Sequence, residues 1–355
     1  MAEVSTMSVF FIGLSVAYYA ISAYQLFGIT NRSKLQGMLM WVMLFWCVST
    51  LKDLLLFLPG FENGDMLRHI YFFDGYGAAT VAVLLMEITK PGWTTVLRYN
   101  MMSLPFIFFF VLHFFIHESW FDTFYTCFFW TYALAAMFIG LLRGISYTRY
   151  IRNNLSTIDE VEISWLWHIA IVFTVCQLVW YAVSDTLNPI TDAIYYTLAI
   201  YCWHVVKTRV NRMNTLLLPL PQEMSEKVDN EESIPEYPFA GKLEDIVETE
   251  ALYLNIDLSL SDLVNRLNTN RTYVSRYFND VLGTTFYDYI NKLRIERAAI
   301  PLLKEGNIYT LEYIAQESGF KSISTFRRAF RKFTGHSASD YRRQVTDNQQ
   351  KHIIN

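Results

Sequence analysis

Residues 319–335 read GFKSISTFRRAFRKFTG, and the rest of the chain is best approached from them. Phe326, Ala329, Phe330 and Phe333 recur at i, i+3, i+4 and i+7, the spacing that gathers apolar side chains on one face of a helix. Ser324, Arg327, Arg328 and Arg331 fall on the opposite face, and residues 321–332 hold five Lys/Arg and no acid. Such a face suits a DNA groove or an anionic membrane surface. The preceding LEYIAQESGF (311–320) supplies a short helix with Leu311, Ile314 and Ala315 inward and Gly319 closing it, so the pair has helix-turn-helix form. A repeat favours DNA. At an offset of 52 residues, Arg276, Phe278, Gly283, Asp288 and Tyr289 match Arg328, Phe330, Gly335, Asp340 and Tyr341. Surface anchoring needs one amphipathic helix and gives no reason for two copies of a basic two-helix unit.

In the first copy, Leu260, Leu263 and Leu267 give a positioning helix its inward face. Residues 270–282 then form a recognition helix with Val274, Tyr277, Phe278 and Val281 inward and Arg271, Thr272, Ser275 and Arg276 outward. Arginine suits this role because its planar fork donates twice to guanine O6 and N7. The alternative for any exposed arginine is a solvated charge or a phosphate contact.

From about 240 to 343 the chain resembles the double helix-turn-helix DNA-binding domain of AraC/XylS-type transcription regulators. The resemblance is carried by LSDLVNRLNTNRTYVSRYFNDVLGTTFYDYINKLRIERA and, more specifically, by IAQESGFKSISTFRRAFRKFTGHSASDYRR. It implies that Thr272, Ser275, Arg276, Ile323, Ser324, Arg327 and Arg328 occupy positions facing bases, with Arg276 and Arg328 foremost. Two such units on one chain would read adjacent major grooves about 34 Å apart. The sequence departs from the family at Ala338, where a Pro is usual, and at Pro301, which falls inside the helix expected to link the units over 285–304. A proline there removes a backbone hydrogen bond and is expected to kink that helix.

The rest of the chain has a different character. Overall the 355 residues are 53% hydrophobic and 17% aromatic, and the net charge of −4 averages unlike parts. Residues 1–212 hold 12 Lys/Arg and 13 Asp/Glu, residues 213–239 one Lys and six acids, and residues 240–345 15 basic and 13 acidic side chains. Apolar runs long enough to cross about 30 Å of hydrocarbon occur at 7–29, 38–58, 69–89, 100–117, 121–142, 163–184 and 189–206. The expected fold is therefore all-α: a seven-helix transmembrane bundle (1–212), an acidic, proline-containing linker (213–239), a double helix-turn-helix domain (240–345) and a tail (346–355).

Alternate loops carry ten basic residues (Arg32, Lys34, Lys90, Arg98, Arg143, Arg149, Arg152, Lys207, Arg209 and Arg212) while the other set carries Arg68 alone. The positive-inside rule places the basic set in the cytoplasm, hence the amino terminus outside and the DNA-binding domain inside a multi-pass cytoplasmic (inner) membrane protein. The first span lacks the basic leader of a secretory signal and is read as retained.

That topology puts Lys52, Asp53, Asp74, His113, His117, Asp185 and Asp192 in the outer half or at the outer mouth. A charge at mid-membrane is unfavourable by about 2.5–3.5 kcal/mol, so such groups either line a functional pocket or pair to lock helices together. Asp53, Asp74, His113 and His117 form the candidate ligand pocket. His113 and His117 share a helix face, but no third ligand has metal spacing, so no metal or other cofactor is expected. Cys47, Cys127, Cys176 and Cys202 lie singly in the spans and read as buried thiols. No nucleotide-binding glycine loop, kinase motif or nucleophile elbow is present in the sequence, so an enzyme is not expected.

These features point to a membrane-bound one-component regulator: double-stranded DNA and membrane lipid as partners, a homodimer, and an unknown small-molecule or peptide signal. The alternatives are a latent factor released by cleavage in the linker, and a transporter carrying a regulatory DNA-binding module. The topology is checked with single reporter fusions. A fusion at Glu62 should report the external side and one at Asn153 the cytoplasm, and equal or reversed signals would overturn the charge reading.

Overall fold

The computed structural model of the protein describes residues 2–58, 64–158, 163, 165–183, 189–213, 237–305 and 308–354. Every regular element among them is helical, apart from an isolated antiparallel bridge between Leu155 and Ser259. The chain divides into two units, 1–147 with 163–224 and 148–162 with 225–355.

The first unit contains α1 (Ala2–Phe27), α2 (Lys34–Asp53), α3 (Gly64–Asp74), α4 (Tyr76–Thr89), α5 (Val96–Leu112), most of α6 (Ser119–Asn154), α7 (Trp165–Val183) and α8 (Pro189–Met213). Each expected span coincides with a helix or helix pair. Among the described residues four segments, Thr6–Phe27, Lys34–Phe57, Met66–Thr89 and Ser119–Asn154, are long and apolar enough to cross a membrane. Large apolar side chains such as Phe10, Trp41, Phe108, Phe115 and Phe138 are exposed on the outside of this unit.

Helix α1 packs on α2 and α8, while α4 lies against α2 and α5. The third expected span passes from α3 to α4 through Gly75, which keeps helical dihedrals (φ −57°, ψ −29°). A Cβ at Gly75 would fall 1.6 Å from the Tyr125 hydroxyl. That hydroxyl donates to the Phe72 carbonyl at 3.3 Å, so Tyr125 leaves room only for glycine at position 75 and supplies a donor to the backbone beside it. Asp74 is the last residue of α3, directly before this glycine. The cysteines are not uniformly buried: Cys202 is buried, Cys47 is half-buried, and Cys127 sits on the exposed face of α6. The side chain of Cys176 lies outside the described residues.

The second unit has two apolar cores. The first gathers Leu243, Leu260, Leu263, Val274, Phe278 and Ile290 around α9 (Ala240–Glu244), α10 (Leu260–Leu267), α11 (Arg271–Arg276) and α12 (Phe286–Leu293). The second gathers Leu303, Ile314, Phe320, Phe326, Ala329 and Phe330 around α13 (Ile300–Lys304), α14 (Leu311–Glu317), α15 (Ile323–Thr334) and α16 (Ala338–Ile354). Local signals explain the boundaries. Ser259 and Asp262 form a reciprocal capping box that starts α10, and Asn268 in a left-handed conformation (φ 53°) ends it. Asn270 caps α11, and Ser322 caps α15.

Three expectations change. The first recognition helix passes into a π-turn at Tyr277–Val281, and this wider turn shifts the phase, so Val281 is 54% exposed rather than inward. The linking helix runs on through Pro301, and the distortion takes the form of a widened turn before it. The preceding segment Arg294–Ala299 widens into a π-turn in which Ile300 donates to Ile295, which accommodates the missing donor and the ring. The linker and the tail also end differently from their sequence boundaries. Tyr237 and Phe239 already pack in the first core, and α16 runs to Ile354 without a separate tail. Residues 214–236, most of the acidic linker, lie outside the described residues. Ala338 is buried at the first position of α16, behind Ser337, whose hydroxyl accepts from the Asp340 amide at 3.1 Å. Proline is favoured at that position only because its missing donor costs nothing there, so alanine fits.

Candidate nucleic-acid interface and polar centre

In α15 the division between faces is sharp. Phe326, Ala329 and Phe330 are buried with Thr325, while Ser324, Arg327, Arg328, Arg331 and Lys332 are exposed. Phe333 is half-buried, and Ile323 is half-buried against the second core, so this expected base-facing residue divides its surface between core and solvent. Ser322 accepts from the Thr325 amide (3.2 Å), and Gly335 at φ 77° closes the helix. A groove between α15 and the start of α16 is lined by Arg327, Arg328, Arg331, Lys332 and Ser339. The groove is therefore strongly basic, with exposed guanidinium groups along one side of α15.

The first recognition helix presents Thr272 and Arg276 to solvent, with Ser275 half-buried. Arg271 is different. Its Nε donates to Asn154 Oδ1 at 2.8 Å, its second terminal nitrogen donates to the Tyr150 hydroxyl at 2.9 Å, and the guanidinium lies 5.3 Å from the Tyr150 ring centroid.

The two helical pairs are joined by Arg294, which is 1% exposed. It donates to the carbonyls of Tyr253 (2.6 Å), Asn255 (2.7 Å) and Ser156 (3.1 Å), to Asn291 Oδ1 (3.2 Å) and to the Ser156 hydroxyl (3.1 Å). It also sits 5.6 Å from the centroid of Phe320, in the second core. Burial pushes its pKa down to about 10, so the group stays charged near neutral pH. Lys332 adds an ion pair from α15 to Asp288 of α12 at 2.7 Å. Gly319 (φ 82°) lets the turn after α14 approach Leu254, where a Cβ would come within 2.8 Å of a backbone oxygen.

In the first unit the four candidate pocket residues fall into two groups. Lys52 Nζ lies 2.7 Å from Asp53 Oδ1 and 2.7 Å from Asp74 Oδ1. Ser49 donates to Asp74 at 2.7 Å and Tyr196 to Asp53 at 2.9 Å. These two carboxylates share a cavity of about 200 Å³, whose other walls include Tyr19, Trp46, Tyr195 and Trp203. Two carboxylates against one ammonium leave this end of the cavity acceptor-rich.

His113 and His117 lie elsewhere. His113 Nδ1 bonds the Phe110 carbonyl and so carries the proton, which leaves Nε2 to accept from His69 Nδ1 at 2.7 Å. Both ring nitrogens are thus used within the α3–α5 contact. His117 Nδ1 is 3.4 Å from Arg68. Arg68 holds Asp122 in a fork (2.9 and 3.0 Å) and donates to the carbonyls of His113 (2.8 Å) and Ile116 (2.6 Å). Asp192 accepts from Ser8 at 2.6 Å, and Asp185 lies outside the described residues. No group of three or more metal-ligand side chains occurs among the described residues.

Several participants are not apparent from spacing alone. His69 and Tyr196 look like ordinary span residues. Glu87 sits inside an apolar run, yet it pairs with Lys34 at 3.2 Å and accepts from the amides of Gly92 and Thr94 at 2.8 Å each. Its charge inside a span was the available signal.

Residues 263–344 match the helix-turn-helix domain family. An uncharacterized HTH-type transcriptional regulator of Staphylococcus aureus strain COL is 32% identical over 112 residues, covering 31% of this chain and 15% of that protein. A counterpart in strain MSSA476 matches with the same identity and coverage. The transcriptional regulatory protein HptR of S. aureus strain NCTC 8325 is 32% identical over 88 residues, 25% of this chain and 34% of its own length. The matched region thus spans a minor part of each relative. No solved structure matches the chain. With the two helical pairs, their separate cores and their exposed basic recognition helix, the C-terminal region of this chain is a helix-turn-helix domain of the AraC type.

Proposed function

We propose that the protein is a membrane-bound transcription regulator of the one-component kind, in which a signal bound in the first unit controls sequence-specific DNA binding by the second. The observation that carries this reading is the cavity walled by Asp53 and Asp74, because it sits in the same chain as an AraC-type domain. In the seven-span, amino-terminus-outside topology that we adopt, Lys52, Asp53, Asp74 and Tyr196 lie toward the outer face. The exposed apolar belt and the four membrane-length helices support membrane insertion. A ligand alters DNA binding only if its affinity differs between two helix arrangements, and an ion network spanning α2, α3 and α8 is where a bound ligand would meet three helices at once. Pairing of two chains would set the spacing of two DNA-binding units on a repeated site.

The base-reading assignment is tested by DNA-binding titrations across operator variants. Arg276→Ala and Arg328→Ala should each lose about 1–3 kcal/mol against the preferred base and relax specificity there, whereas loss of a phosphate-contacting lysine weakens all sequences alike. Unchanged sequence preference in both variants would overturn the assignment.

Signal control is tested by transcriptional reporters in cells. Asp53→Asn or Asp74→Asn should leave membrane insertion intact and lock output on or off, because each removes a charge from the Lys52 network. Responses equal to those of the parent would make these carboxylates structural partners and place sensing elsewhere.

A further inference from the structure

Residues 148–158 belong by their contacts to the DNA-binding unit, although the sequence places them in a loop between two apolar runs. Their attachment has two distinct parts. The first is an anchor. The Ser156 amide and hydroxyl both donate to the Leu258 carbonyl, at 3.2 and 2.7 Å, and Thr157 donates to the Ile256 carbonyl at 2.7 Å. Leu155 bridges to Ser259, Ile151 and Ile158 are buried, and the carbonyl and hydroxyl of Ser156 complete the shell of Arg294. An anchor of this kind leaves the recognition helices open.

The second part does not. Tyr150 and Asn154, one turn apart on the last turns of α6, take the guanidinium of Arg271 between them through two hydrogen bonds and a stacked ring. Arg271 is the first residue of α11, directly after the Asn270 cap. The amino end of a recognition helix is the part that enters the major groove, so this guanidinium sits where DNA would be met. An arginine held by two neutral acceptors and an aromatic face gives up those contacts to reach a phosphate or a guanine.

We propose that Tyr150 and Asn154 are an intramolecular competitor of DNA. They hold Arg271 away from the groove, and Ser156 keeps them beside it whether or not the contact is made. The unit boundary at Tyr147/Thr148 falls inside α6. A displacement or rotation of that helix therefore acts on the clamp directly, and releasing Arg271 raises DNA affinity with no change in the fold of the DNA-binding unit. This inference rests on the DNA-binding reading and adds to it the element through which binding is restrained.

The test uses the full-length chain in detergent or nanodiscs and titrates it with a DNA fragment carrying its operator. Tyr150→Phe removes one acceptor while keeping the ring, and it should tighten binding about tenfold, the low end of what one hydrogen bond to a charged group contributes. Asn154→Asp converts a neutral acceptor to a charged one and should weaken binding about fivefold or more. In an Arg271→Ala background both effects should vanish. A purely structural role for these residues predicts losses of the same sign in both variants, persisting without Arg271, and that pattern would overturn the clamp. Operator binding that is specific but indifferent to all three substitutions overturns the clamp alone. Absence of any sequence-preferring DNA binding overturns the regulator reading with it.

Discussion

Arg294 is the interaction on which the second unit depends. A buried guanidinium is costly unless its donors are matched, and here the backbone carbonyls of Tyr253, Asn255 and Ser156 supply most of the acceptors. Each hydrogen bond to a charged group contributes about 1.5–3 kcal/mol, and removing the arginine would leave several buried carbonyls unpaired. The consequence is geometric as much as energetic. One side chain ties the turn before α10, the linking helix, the ring of Phe320 and Ser156 into one arrangement. The spacing of the two recognition helices follows from that arrangement and from the Lys332–Asp288 pair.

The same principle governs the first unit at lower density. Its polar side chains form small closed networks: Lys52 with two carboxylates, Arg68 with Asp122 and two carbonyls, Glu87 with Lys34 and two amides. Within an apolar medium such networks are the means of keeping charge. They differ in what remains unused. The Arg68 and Glu87 networks are consumed by their own loops and helix ends, whereas the Lys52 network faces a cavity and carries one more carboxylate than ammonium. That difference sets the Lys52 network apart from His113, whose ring nitrogens are taken up by neighbouring groups.

Much of the DNA-binding fold was legible because its signals are local. The Leu260, Leu263, Leu267 stripe, the Ser259 cap and the two faces of α15 are set by residues within a few turns of one another, and helical periodicity reports them directly. Failures occurred where register or distance intervened. The π-turn at Tyr277–Val281 breaks the 3.6-residue period, so Val281 turned outward. The role of Pro301 depended on a wide turn that no residue pattern announces. The site residues were less legible still. His113 is occupied by His69, 44 positions away, and Arg271 by Tyr150 and Asn154, more than 100 positions away, and neither pairing leaves a trace in spacing or composition.

The central claim is that an intact membrane-held chain, and not a fragment, regulates transcription. It is tested most directly by crosslinking cells that carry tags at both ends of the protein, recovering the promoter-bound species under inducing conditions and determining its size. The account predicts a full-length species bearing both tags and recovered with the membrane fraction. A bound species that carries only the carboxyl-terminal tag and begins within residues 214–236 would contradict it, and would make the first unit an anchor for a released factor.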